Sequence, residues 1–211
     1  MFDYLDIILH IDVYLEKVFH EVGYWIYLVL FLIVFSETGF VVTPFLPGDS
    51  LLFTVGALSS RQLLCPWSSF FLLSLAAILG NTVNYHIGKF AGPKVFTKEK
   101  SLFFNKKHLI TTHEFYKKHG AKTIIIARFL PIIRTFAPFV AGIGRMSYLK
   151  FQFYNTLSSI LWNSSLIMAG YFFGNIPIVK NNFSLFILGI IIVSVLPGVI
   201  KALSMRKREA K

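Results

Sequence analysis

Charge is scarce in this 211-residue chain: 15% of its residues are Asp, Glu, Lys or Arg, and only ten are acids. Five of the acids (Asp3, Asp6, Asp12, Glu16, Glu21) fall in the first 21 residues, where Lys17 is the lone basic residue. That is the wrong sign for a signal-peptide n-region, and no small-residue cleavage site follows, so no cleavable signal peptide is expected. Cysteine occurs once, as Cys65, which excludes an intrachain disulfide. There is no Gly-x-Ser-x-Gly elbow, no His-Glu-x-x-His pair and no P-loop. His108, His113 and His119 lack a metal-ligand spacing with carboxylates. No enzyme activity, metal or cofactor is therefore expected.

Apolar residues are plentiful instead. They make up 55% of the chain, and Phe alone contributes 23. Residues 67–88, 151–174 and 181–200 contain no Asp, Glu, Lys or Arg. Each run reaches or approaches the roughly 20 residues that a helix needs to cross a bilayer. The runs are continuous rather than alternating, which argues for helices and against a β-barrel. The formal charge of +11 then belongs to loops beside anionic lipid, and no nucleic-acid partner is expected.

The order of segments reads as one all-α membrane domain spanning residues 1–211. Residues 3–21 form an amphipathic helix at the interface, because Ile7, Ile8, Ile11, Tyr14, Leu15 and Val18 recur at helical spacing between acids. Residues 24–60 are apolar but broken at Thr43-Pro44-Phe45-Leu46-Pro47-Gly48, which no straight helix can hold. The chain there either crosses twice in short spans or enters and leaves on one side, and the arm lengths suit a re-entrant hairpin. Residues 67–89 form a span. The stretch 89–122 carries nine lysines against two acids, so the linker 90–122 is placed in the cytoplasm. Residues 123–145 are a second broken stretch, with Arg128, Pro131, Arg134 and Pro138. Residues 148–174 and 182–203 are two further spans, and the basic tail 204–211 is cytoplasmic. Two opposed re-entrant hairpins plus three transmembrane helices make an inverted-repeat layout, with irregular backbone meeting at the midplane. Monomer and homo-oligomer are both compatible with it.

Chemistry concentrates at the two breaks. Glu37 and Asp49 flank the first, and carboxylates in hydrocarbon must face protein or water. Burial makes a proton-binding role feasible, while an arginine alongside keeps them charged. The plainer alternatives are that Asp49, after Pro47-Gly48, caps the outgoing arm and that Glu37 pairs structurally with an arginine. Arg128 and Arg134 flank Pro131 at the second break, and their planar donor forks suit carboxylate or phosphate. They either bind an anion or act as counter-ions to the acids. Asn81, Asn84 and Tyr85 line the cavity or bond a neighbouring helix. Asn155, Trp162 and Asn163 are read as packing residues. "GKFAG" (88–92) and "GYFFG" (170–174) match a small-xxx-small pattern.

"ETGFVVTPFLPGDSLLF", "GNTVNYHIGK" and "ARFLPIIRTFAPFVAGIGRMSY" resemble the motifs of the DedA family, whose domain is shared with the eukaryotic VTT proteins. The resemblance extends from "LHIDVYL" through "YNTLSSILW" and "AGYFFGNIP" to "LPGVI". One departure is Asn81, where many relatives carry Asp. The resemblance implies a bacterial inner-membrane protein with two facing re-entrant hairpins. It implies that Glu37, Asp49, Arg128 and Arg134 matter for function. It also implies proton-motive-force-dependent physiology and the movement of lipid carriers such as undecaprenyl phosphate. The expected activity is translocation of a polyprenyl phosphate or phospholipid with protons as partners. Pro44, Pro47, Gly48, Asn81, Tyr85, Pro131 and Pro138 support the site. The alternatives are a proton-coupled cation or small-solute antiporter, and a non-transporting scaffold that recruits partners through its basic linker.

Overall fold

The computed structural model describes residues 21, 23–40, 48–91, 106–182, 185, 186 and 189. The regular elements among them are all helical: α1 (Trp25–Gly39), α2 (Gly48–Ser60), α3 (Pro66–Ala91), α4 (Lys106–His119), a 3-10 turn (Gly120–Lys122), α5 (Thr123–Ala127), α6 (Pro131–Ile143), α7 (Tyr148–Gly174) and α8 (Pro177–Asn181). The expected amphipathic helix 3–21, the tip bearing Pro44 and Pro47, part of the basic linker, the last span 182–203 and the tail lie wholly or almost wholly outside the described residues.

The second sequence break is a break in helix, and the first falls almost wholly outside the described residues. α1 stops at Gly39 and α2 starts at Gly48, while α5 stops at Ala127 and α6 starts at Pro131. After each break comes a 13-residue helix, then a long one of 26 residues (α3) or 27 residues (α7). The short helices also end alike. Leu63 N–H donates to the Leu58 carbonyl at 3.2 Å and Gln62 N–H to the Ser59 carbonyl at 3.1 Å. Met146 N–H and Arg145 N–H make the equivalent bonds to Ala141 and Gly142, each at 3.0 Å. This paired closure requires a left-handed residue. Gln62 and Arg145 supply it at φ 63° and 51° without being glycine.

α3 is about 39 Å long at 1.5 Å per residue. Among the described residues only its Pro66–Phe90 stretch is both long and apolar enough, by length and composition, to cross a membrane. α7 has the length but carries more polar residues. Their placement explains this: Asn155, Ser158, Ser159 and Asn163 are buried, while Leu149, Phe153, Leu157 and Phe172 face outward. α3 behaves likewise, with Asn81 and Asn84 inside and Trp67, Phe71, Leu75 and Leu79 outside at every fourth residue. Apolar stripes outward and amides inward suit a hydrocarbon surrounding, where polar groups must find partners in the protein.

The chain divides into two compact units. Met1–Tyr27, Pro47–Ser69 and Leu166–Lys211 form one; Leu28–Leu46 and Phe70–Ser165 form the other. In the first, the "GYFFG" glycines lie against α2: a Cβ at Gly170 would strike the Phe53 carbonyl, and one at Gly174 would crowd Ala57. In the second, α3 has two such seams. Gly80 meets Phe35 and Thr38 of α1, and Gly88 meets the Phe139 carbonyl of α6. Between them Tyr85 stacks on Phe151 at 4.4 Å and packs with Ile124 and Ala141.

A non-glycine residue held left-handed is strained by roughly 1–2 kcal/mol. Gln62 is exposed, so Gln62→Gly is expected to stabilise the protein by about 0.5–1 kcal/mol. A thermal melt of the purified protein in detergent checks it: the midpoint should rise.

Candidate functional site

α1 buries Leu30, Val34, Glu37 and Thr38 along one helical stripe, so the periodicity of an apolar helix delivers a carboxylate to the interior. Glu37 is fully buried. Across from it, "RFLPIIR" shapes the second break. Leu130 is extended (φ −114°, ψ 103°), as a residue before proline prefers to be. Pro131 then opens α6, where its missing N–H costs nothing. Arg134 N–H makes the helical bond to the Leu130 carbonyl at 2.9 Å. Arg128 thus ends one helix and Arg134 lies one turn into the next.

Arg134 Nη2 donates to Glu37 Oε1, forming a salt bridge. Arg134 is 8% exposed and Arg128 3%. Arg128 Nη2 donates to Ser159 Oγ at 3.1 Å. The indole of Trp162, 1% exposed, lies 4.6 Å from the Arg128 guanidinium carbon and 5.2 Å from that of Arg134. One buried ring thus faces two cations, a contact worth about 2 kcal/mol when desolvated. Both guanidiniums are planar donor forks of the kind that suits a carboxylate or a phosphate.

α6 itself is held by side chains. Pro138 sits inside it and cannot donate to the helical ladder. Asn84 Nδ2 donates to the Thr135 carbonyl at 2.9 Å, and Tyr116 Oη donates to the Ala137 carbonyl at 2.9 Å. Tyr116 lies on the basic helix α4, and burial pushes its phenol above the usual tyrosine range, so it remains a donor at physiological pH.

The other expected residues divide. Asn81 Nδ2 donates to Asn155 Oδ1 at 2.7 Å, and Asn155 Nδ2 to the Ile78 carbonyl at 3.1 Å, which ties α3 to α7. Tyr85 Oη donates to the Met146 carbonyl. The first fastens helix to helix, and the second ties α3 to the turn between α6 and α7. Gly48 and Asp49 begin α2 in the other unit. Asp49 lines an apolar cavity of about 540 Å³ with Ser50, Phe53, Leu166, Leu185, Phe186 and Gly189. Pro44 and Pro47 lie outside the described residues. Trp162 is the member that the sequence reading took for packing. Its signal was the spacing of Asn155, Ser158, Ser159, Trp162 and Asn163, a polar stripe of helical period within an apolar span. Among the described residues no three His, Cys, Asp or Glu side chains converge as a metal site would need.

Removing one partner of a buried ion pair leaves an uncompensated charge, at a cost of about 3–5 kcal/mol. Glu37→Leu is expected to lower stability by that amount in equilibrium unfolding, and adding Arg134→Leu should recover most of the loss. Trp162→Leu should expose Arg128 and Arg134 to phenylglyoxal faster than in the parent protein, whereas Trp162→Phe, which keeps a ring face, should protect them.

The VTT domain matches residues 46–172. The chain is 53% identical over 209 residues to Protein DedA of Escherichia coli (strain K12), covering 98% of this chain and 95% of that protein. It is 44% identical over 170 residues to an uncharacterized membrane protein of Mycobacterium leprae (strain TN), covering 81% and 76% of the two chains. It is 35% identical over 153 residues to the inner membrane protein YqjA of Escherichia coli (strain K12), covering 72% and 70%. No solved structure matches. An all-helical chain with its amides turned inward, a VTT domain over most of its length and full-length identity of this order belongs to the DedA family of membrane proteins.

Proposed function

We propose that this protein is a transporter that carries a phosphate-headed lipid, a polyprenyl phosphate or a phospholipid, across the bacterial inner membrane, coupled to protons. One observation carries the reading: a buried Glu37–Arg134 pair with a second guanidinium, Arg128, on the same Trp162 ring. A phosphate and a carboxylate compete for the same planar donor fork. When the headgroup takes Arg134, Glu37 loses its counter-ion and takes up a proton, because a lone carboxylate is costly in a buried site. When the headgroup leaves, the proton is released and the salt bridge re-forms. The lipid tail stays in the bilayer beside apolar side chains.

In this reading the stretches 24–60 and 123–145 are re-entrant hairpins that open to opposite sides. The matched lengths of α2 and α6, and of α3 and α7, support a repeat, as does the shared closure at Gln62 and Arg145. The basic linker and tail lie in the cytoplasm, consistent with the lysine excess of 89–122.

Arg134→Lys tests the phosphate clamp, since it keeps the charge and loses the fork. Proteoliposomes loaded with a fluorescent short-chain polyprenyl phosphate should show transfer reduced by roughly tenfold to a hundredfold, and Arg134→Ala should abolish it. Full transfer by Arg134→Ala overturns the clamp. Proton flux driven by a sodium or potassium gradient without lipid substrate would instead support an antiporter.

A further inference from the structure

Asn84 lies on α3 between the two arms of the ion-pair site, and it is fully buried. Its Nδ2 gives one hydrogen to the Thr38 carbonyl at 3.1 Å and the other to the Thr135 carbonyl at 2.9 Å. Both partners are carbonyl oxygens, so the amide can face them only with its NH₂ group. The Oδ1 atom is thereby fixed as an acceptor, and among the described residues it has no hydrogen-bond partner. Thr135 Oγ1 is in the same position: the residue is 3% exposed and its hydroxyl has no partner among the described residues. Several buried hydroxyls return to a carbonyl of their own helix, as Thr38, Ser59 and Thr82 do at 2.9, 2.7 and 2.7 Å. Thr135, like Ser69 and Ser74, does not. These two buried oxygens belong to residues that are themselves hydrogen-bonded; one is an obligate acceptor and one can take either role, and they need a small ligand with hydrogens to give. A cation is disfavoured because Arg134 is the neighbouring residue.

We propose that Asn84 Oδ1 and Thr135 Oγ1 hold a buried water molecule between α3 and α6. Thr135 follows Arg134, so one ligand of this water is the chain neighbour of the salt-bridge arginine. The water supplies an exchangeable proton there, whatever the transported substrate. The site does not depend on the lipid-transport reading.

The test is the sign of a stability change in the full-length protein in nanodiscs. Thr135→Val is nearly isosteric and removes the hydroxyl. If the hydroxyl binds water, the variant leaves that water and Asn84 Oδ1 under-bonded, and the melting midpoint falls on the order of 2–4 °C. If the hydroxyl is unserved, its removal leaves the midpoint unchanged or raises it, and the proposal is overturned. Infrared spectra recorded after exchange between H₂¹⁶O and H₂¹⁸O give an independent readout. A sharp isotope-sensitive O–H stretch from internal water should be present in the parent protein and in Thr135→Ser, and absent from Thr135→Val. Absence of such a band from the parent, or its persistence in Thr135→Val, overturns the proposal even if the valine variant melts early.

Discussion

The interior of this protein is organised around one electrostatic constraint: Glu37 is fully buried in a chain built for hydrocarbon. A carboxylate cannot stay ionised there unless something replaces its hydration. Arg134 does so, and the placement of Arg134 dictates much of the rest. It requires a helix that starts close to Glu37, which the extended Leu130 and the opening Pro131 produce. It requires that helix to remain in place despite Pro138, which Asn84 and Tyr116 ensure by bonding its carbonyls. It also requires the second cation nearby to be tolerated, and the face of Trp162 provides for that.

α3 is the common wall of this arrangement. Glycine on its surface lets α1 approach at Gly80 and α6 at Gly88, so the helices bearing Glu37 and Arg134 are both seated by backbone contact. Such contacts are stiff, since a backbone cannot change rotamer. Asn81 adds α7 through Asn155, and α7 brings Ser159 and Trp162 to the arginines. The amides flagged in "GNTVNYHIGK" therefore hold the frame in which the charges meet.

Much of this was legible in the sequence because proline and charge are rare enough in apolar runs to be informative. The second helix break and the pairing of a first-break acid with a second-break arginine follow from residues that are expensive in lipid, and the long helix over 67–89 follows from their absence. Trp162 was not legible as a site residue, because an aromatic in an apolar span is ordinarily packing, and only folding brings it against the two cations. Asn84 was ambiguous for a related reason. An amide in a span bonds whatever is close, and its two carbonyl partners lie 46 and 51 residues away in the chain. The left-handed closures at Gln62 and Arg145 left no trace, since neither position is the glycine that usually announces one. Asp49 shows a different limit: the sequence left open whether it meets the arginines or caps the outgoing arm, and it lies exposed in the first turn of α2.

The placement of Trp162 has an optical consequence. The chain contains three tryptophans, and the other two, Trp25 and Trp67, are each 70% exposed. The buried indole alone sits in the field of two guanidiniums. The excited state of indole shifts its electron density across the ring, so its emission energy responds to nearby charge. A chain with Trp25 and Trp67 replaced by phenylalanine would thus carry a native fluorophore whose colour reports the charge balance around Arg128 and Arg134, without a label and without knowledge of what binds there.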